Sequence, residues 1–259
     1  MVRSGNKKKV LLKLGTATLT KGTSVISRGK LEDIGRQILA LQDVCEFVIV
    51  SSGAIAMARQ LAHLHDAGQD IQVKQALAAI GQPHLMRIIQ DCFRDFKLNT
   101  AQCLLSYMDF EMPQSRENIV NTINTLLMHG YIPVINENDT VATEEIKFGD
   151  NDKLASLTAR LIHADLLIMA TNTNGVYSWD KNREQITIPE IDDIDSVLSH
   201  LDDSKSDQGT GGMKSKLHSA GLAAAAGIET WLVNGHEENF IINALEGKSG
   251  FTKVLPALK

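Results

Sequence analysis

Pro133-Val-Ile-Asn-Glu-Asn-Asp-Thr-Val141, and shortly after it Gly149-Asp-Asn-Asp-Lys153, place acids and amides between an apolar strand and an apolar helix. The residues are Asn136, Glu137, Asn138, Asp139, Asp150, Asn151 and Asp152. Such groups are costly to bury unless hydrogen bonds or charges satisfy them. Each accepts or donates from a short stem, which suits a site that holds a small polar molecule by its ammonium and carboxylate groups. Asn and Asp also make turns and helix N-caps. Capping accounts for one or two of these side chains, and two neighbouring runs hold seven.

Strand, polar turn and helix in that order form one unit of an alternation that runs through the chain. Val10 to Leu14 is an apolar run stopped at Gly15, read as a buried strand. Ser27 is placed to cap a helix with Leu31, Ile34, Ile38 and Leu41 on one face. Phe47 to Val50 is a strand that stops at Ser51-Ser52-Gly53, and Ala54 to His65 has helical composition. Ile71 to Phe96 reads as two helices joined near Gly81-Gln82-Pro83, because proline starts a helix better than it continues one. Strands are expected at Ala101 to Leu105, Ile132 to Ile135, Leu166 to Ala170 and Thr230 to Val233, with helices at Arg116 to Met128, around Leu154, Leu157 and Leu161, and at Leu217 to Ala226. Gly175-Val-Tyr-Ser and Gln185-Ile-Thr-Ile suggest a hairpin, and Asp202 to Gly212 a mobile loop. The alternation predicts an α/β fold: a three-layer αβα sandwich around a mostly parallel central sheet. In such sheets ligands bind beyond the carboxyl ends of the strands, where the polar clusters fall.

With 259 residues the chain has room for a sizeable core. The net charge of −5 gives no bulk attraction to nucleic acid. No apolar run is long enough to span a bilayer, and Lys7-Lys-Lys9 leads into the first strand with no signal-peptide pattern after it. A cytoplasmic protein is expected. Cys45, Cys92 and Cys103 are far apart and form no Cys-x-x-Cys pair, so reduced, buried thiols are expected. His63 and His65 are two apart, on different sides of a helix, so no metal site is assigned to them.

Several turns suit phosphate. Lys13 lies on the first strand just before Gly15, and Ser52-Gly53-Ala54 is a strand-to-helix turn whose amides can face an anion. Gly209-Thr-Gly-Gly-Met-Lys-Ser-Lys216 leads into a helix and carries two lysines. Glycines let backbone amides approach phosphate, and a lysine adds a point charge. The P-loop, the dinucleotide fingerprint and the protein-kinase signatures are all missing, and no histidine lies in these clusters to build a Ser/His/Asp triad.

In these motifs and their order the chain resembles the glutamate 5-kinases of the amino acid kinase superfamily. Val10-Leu-Leu-Lys-Leu-Gly-Thr16, Val48-Ile-Val-Ser-Ser-Gly-Ala-Ile-Ala56, Pro133 to Asp139, Ile146-Lys-Phe-Gly-Asp-Asn-Asp152 and Gly209 to Lys216 carry the likeness. The resemblance implies a single amino acid kinase domain over 1–259, with an amino-acid-binding lobe over about 1–165 and a nucleotide-binding lobe over about 166–259. It implies the shorter form without a C-terminal PUA domain.

The implied reaction is ATP-dependent phosphorylation of the side-chain carboxylate of L-glutamate, the first step towards proline. By resemblance Lys13, Lys216 and Asp152 are catalytic, and Ser52, Gly53, Ala54, Asn136, Asp139 and Asn151 bind glutamate. Lys13, Gly15, Thr16, Thr171, Asn172, Thr210, Gly211, Gly212, Met213, Lys214, Ser215 and Lys216 match the ATP positions. Many members have Thr-Asp where this chain has Thr171-Asn172. Mg2+ would be held mainly by the ATP phosphates. The resemblance further implies a homo-oligomer, dimer or tetramer, with proline as a feedback inhibitor, and no nucleic acid or membrane partner. Two other readings stay open: a kinase of the same fold with another acceptor, and a sensor that binds without turnover. The run from Asn136 to Asp152 argues against the first, and Lys13 with Lys216 against the second.

Overall fold

The computed structural model describes residues 7–61, 70–141, 151–179, 184–201 and 212–257. His63, His65, Asp150, Thr210, Gly211 and most of the expected loop from Asp202 lie outside the described residues. The elements are β1 Lys8–Leu14, α1 Thr16–Thr20, α2 Arg28–Leu41, β2 Cys45–Ser51, α3 Ala54–Leu61 and α4 Ile71–Arg94. There follow β3 Asn99–Leu105, α5 Tyr107–Glu111, α6 Pro113–Met128, β4 Tyr131–Glu137, α7 Asn151–Leu161 and β5 Leu166–Thr171. The chain continues through β6 Tyr177–Trp179, β7 Gln185–Thr187, β8 Glu190–Ile191, α8 Ile194–Leu201, α9 Met213–Ala224, β9 Glu229–Asn234, α10 Phe240–Leu245 and β10 Thr252–Val254.

Among the described residues the central sheet has the order β3-β4-β2-β1-β5-β9-β10-β8. It is parallel from β3 to β9; β10 runs antiparallel to β9 and parallel to β8. The expected hairpin forms as β6 against β7. Strand order reverses between β1 and β5, and the carboxyl ends of β1, β2, β4 and β5 share one rim, with Leu14 level with both Ser51 and Ala170. Such a reversal leaves a crevice above the sheet.

The strands are buried on both faces, and their alternation decides what each residue meets. Val10, Leu12 and Leu14 of β1 join the core on the side of α2 and α4, whereas Leu11 joins the core on the side of α7 and α9. Lys13 follows the parity of Leu11, and its side chain is directed towards α7 and α9. In β4 the same rule sends Asn136 towards α4, with Ile132 and Val134.

The expected break near Gly81-Gln82-Pro83 does not occur: α4 runs unbroken from Ile71 to Arg94 with Pro83 inside it. An interior proline costs about 3 kcal/mol. One face nevertheless stays buried through it, with Leu77, Ala78, Leu85, Met86, Ile89, Cys92 and Phe93 apolar and Gln82 the polar exception. At about 1.5–3 kcal/mol for each large side chain, that face outweighs the proline. Gly81 sits where α4 crosses the start of α3, and a Cβ there would lie 1.8 Å from the Ala54 carbonyl oxygen. Backbone stands on both sides, so Gly81→Ala must part the helices. It is expected to destabilise the chain by about 3 kcal/mol, seen as a lower denaturant midpoint.

Cys45 and Cys92 are buried and Cys103 is half-buried, all as free thiols. Burial pushes each thiol above its ordinary pKa. Among the described residues no helix is long and apolar enough to cross a membrane.

Candidate active site

Two features share the rim of the sheet: an ion triad and a cavity. Lys13 leaves the end of β1 almost fully buried. Its Nζ lies 2.6 Å from Asp152 Oδ1, and Lys216 Nζ lies 2.8 Å from Asp152 Oδ2. One carboxylate thus takes one ammonium on each oxygen. Asp152 is in the first turn of α7, where a negative charge also suits the helix dipole. Lys216 is in the first turn of α9, which packs against α7. Burial alone would push the Asp152 carboxyl up. The charges of Lys13 and Lys216, with their hydrogen bonds, outweigh it and hold the carboxyl below the usual range. The triad carries one net positive charge beside the first turn of a helix, an arrangement that attracts phosphate. A Cβ on Gly15 would stand 3.3 Å from Lys13 Nζ, so glycine leaves room for the ammonium at the strand end.

The cavity, of about 140 Å3, is lined by Thr16, Ser52, Gly53, Ala54, Ile55, Ala56, Asn136, Glu137, Asp139 and Asn151. β2 delivers Ser52 and Gly53 directly into α3, with Gly53 at φ +109°, a conformation that favours glycine. β4 delivers Asn136 and Glu137, and α7 begins at Asn151. Asn151 Nδ2 donates to the Ser51 carbonyl at 3.0 Å, to Ser52 Oγ at 2.8 Å and to Asn136 Oδ1 at 2.9 Å. Asn136 Oδ1 also accepts from the Glu137 N–H at 2.9 Å, and its Nδ2 donates to Gln82 Oε1 at 2.7 Å. Burial pushes the half-buried Asp139 carboxyl up to about 6.

All six residues expected to bind the amino acid line this cavity. Thr16, assigned by resemblance to ATP, lines it as well. Thr171 and Asn172 lie at the end of β5; Asn172 is exposed, and Thr171 is buried with its hydroxyl donating to the Thr173 carbonyl at 2.8 Å. Gly212 caps α9, and Met213, Lys214, Ser215 and Lys216 form its first turn. Gln82 did not stand out in the sequence, although a Gly-Gln-Pro inside an amphipathic helix is an unusual place for a buried amide. Among the described residues no three His, Cys, Asp or Glu side chains converge as a metal site.

The model of the amino acid kinase family matches residues 8–234. The chain is 40% identical to the glutamate 5-kinase of Dehalococcoides mccartyi strain CBDB1, over 97% of this chain and 69% of that protein. It is 41% identical to a glutamate 5-kinase of Thermus thermophilus, over 93% of this chain and 65% of that protein. With the glutamate 5-kinase of Alkaliphilus metalliredigens strain QYMF it shares 39% identity over 93% of this chain and 92% of that protein. The chain thus spans about two thirds of the length of the first two relatives and nearly all of the third. Among solved structures, the UMP kinase of Ureaplasma parvum superposes with a TM-score of 0.68 at 17% identity, covering 97% of this chain and all of that one. That likeness speaks for the fold, while the relatives near 40% identity narrow the kinship within it: the chain belongs to the amino acid kinase family, and within it to the glutamate 5-kinases.

Proposed function

We propose that this chain is a glutamate 5-kinase, transferring the terminal phosphoryl group of ATP to the side-chain carboxylate of L-glutamate, the first step of proline biosynthesis. The observation that carries the reading is the pairing of a cationic triad with an adjoining cavity of amino acid size. By volume the cavity holds on the order of ten water positions. That is the scale of a small metabolite, below the roughly 300–1,000 Å3 of pockets for drug-sized ligands.

In this reading Asp139 meets the substrate ammonium by charge-assisted hydrogen bonding. The first turn of α3, with Ser52, Gly53 and Ala54, faces the α-carboxylate. The side-chain carboxylate then points to the triad. Two anions must approach each other there, and Lys13 and Lys216 offset the repulsion from either side of the moving phosphoryl group while Asp152 orients both. Thr171, Asn172 and the segment from Thr210 to Lys216 hold ATP, and Gly15 lets the strand end come close to its phosphates. A magnesium ion bound with the nucleotide would be held mainly by the ATP phosphates. When bound, that ion supplies further charge neutralisation. The reaction depends on positioning and electrostatics more than on covalent chemistry. The amino-acid lobe spans about 1–165 and the nucleotide lobe about 166–259. The chain works as a cytoplasmic homo-oligomer, and proline is small enough to compete at the glutamate cavity.

A substrate panel followed by ADP release tests the reading. Glutamate is expected to be turned over, whereas aspartate, one methylene short of the triad, is expected to be poor. Equal turnover of aspartate, N-acetylglutamate or a nucleoside monophosphate would overturn the assignment. The pKa of Asp139 adds a pH signature. The carboxylate is charged above pH about 6 and neutral below it. The KM for glutamate is therefore expected to rise roughly fourfold from pH 7.5 to 5.5, from the fraction ionised. Asp139→Asn is expected to raise KM at pH 7.5 and flatten its pH dependence; a wild-type profile in that variant would remove Asp139 from the ammonium site.

A further inference from the structure

We infer that Gln82 is a positioning residue: from behind the cavity it anchors Asn136, whose oxygen helps to hold the Asn151 amide so that Asn151 presents a hydrogen-bond acceptor to the substrate ammonium. Gln82 belongs to α4 and does not line the cavity. The inference rests on the glutamate kinase reading and deepens it.

Two backbone groups, the Glu137 N–H beside Asn136 and the Ser51 carbonyl beside Asn151, set the direction of the amide relay, and Gln82 takes up the Asn136 hydrogen that remains. The Glu137 N–H can only donate, so the Asn136 atom 2.9 Å from it is the oxygen. Asn136 must then turn its nitrogen to α4, and the atom that receives it at 2.7 Å is Gln82 Oε1. At the far end the Ser51 carbonyl can only accept, so the Asn151 atom 3.0 Å away is the nitrogen. That nitrogen faces three acceptors, the Ser51 carbonyl, Ser52 Oγ and Asn136 Oδ1, with two hydrogens to share among them. Its donor capacity is used up inside the protein. What Asn151 has left for a ligand is Oδ1, which suits an ammonium group and repels a carboxylate. Asp139 lines the same cavity and carries the full negative charge. The carboxylate end of the substrate is left to the first turn of α3.

The relay is buried throughout, with Asn136, Asn151 and Gln82 each less than a tenth exposed. In such surroundings an amide without its partner is costly. Without the Gln82 acceptor the Asn136 nitrogen is left buried and unpaired, Asn136 strains against the bonds its oxygen makes to Glu137 and Asn151, and the Asn151 amide is held less firmly. Gln82 thereby acts on the substrate through two residues. Gly81, which brings α4 against the Ala54 carbonyl, sets the approach of the helix that carries it.

The test compares Gln82→Met, similar in length but without the strong acceptor, with Gln82→Glu, which keeps it. For Gln82→Met the KM for glutamate is expected to rise about tenfold with the KM for ATP within about twofold. The preference for glutamate over glutarate, which lacks the ammonium, should fall with it. Gln82→Glu is expected to recover most of the loss. In a double-mutant cycle Gln82→Met and Asn151→Ala should be strongly non-additive. Should Gln82→Met fail to fold, Gln82→Ala gives the same reading with a smaller rise, about threefold, because water can enter the vacated acceptor position. An unchanged glutamate KM, equal rises for glutamate and ATP, or equal damage from Met and Glu would overturn the role of Gln82 while leaving the kinase reading intact. Failure of the unsubstituted chain to turn over glutamate would overturn both.

Discussion

Lys216→Met and Lys13→Met are each expected to lower kcat by about 10²–10³ in a chain that still folds. Asp152 neutralises one of the two ammonium groups, so the surplus charge offered to the phosphoryl group is that of a single lysine. Removing either lysine leaves Asp152 paired with the other and takes that surplus to zero. The loss falls mainly on the transition state, where negative charge spreads over the equatorial oxygens of the moving group. Glutamate binding, built on the other side of the cavity, should survive, so kcat falls more than the glutamate KM rises. Steady-state kinetics on both variants, with circular dichroism as the folding check, reads this out. Near-normal kcat in a folded variant would remove that lysine from the chemistry. If Lys13 served only as a strand end and Lys216 only as a helix surface, each change would be nearly silent, within about 0.5 kcal/mol in stability.

Asp152→Asn is expected to cost both activity and stability. It leaves two ammonium groups facing each other without the carboxylate, one of them almost fully buried. Breaking a buried pair from one side typically costs about 3–5 kcal/mol, and a loss near the lower figure is expected because Lys216 can turn towards solvent. kcat should fall at least as far as for either lysine, since both lose their orientation. The folded-state pKa of Asp152 lies below its ordinary 3.8. Its stabilisation is therefore fully present above that ordinary value and is lost as pH falls through the lower, folded-state value. Denaturant titrations should show a large gap between the two proteins at pH 7 that narrows in strong acid. A gap independent of pH would show that the carboxylate charge is not what holds the triad.

Much of this was legible in the sequence because a parallel sheet buries its strands on both faces. Val10 to Leu14, Phe47 to Val50 and Leu166 to Ala170 stand out as apolar runs, stopped at the rim by Gly15, Ser51 and Thr171. A charged residue inside such a run, Lys13, is costly without a partner. The partners, Asp152 and Lys216, come from helices 139 and 203 positions further along. Sequence spacing alone could not bring them together; the resemblance named them, and the fold supplies the contact. Pro83 misled because local propensity weighs against a proline in mid-helix, whereas the buried face of α4 decides the matter over its whole length. Gln82 was hidden for the same reason: its part in the site depends on a crossing helix. The short strands β8 and β10 carry too few residues to show any period.

Trapping with hydroxylamine tests the central claim most directly. An acyl phosphate formed on the side chain of glutamate reacts with hydroxylamine to give a stable hydroxamate. Purified chain supplied with ATP, magnesium and glutamate is expected to accumulate glutamyl hydroxamate. Omitting ATP or glutamate should abolish it, and Lys216→Met should make it at about 10²–10³ lower rate. ADP release without any hydroxamate, or hydroxamate formed equally fast with Lys216→Met, would contradict the mechanism proposed for this site.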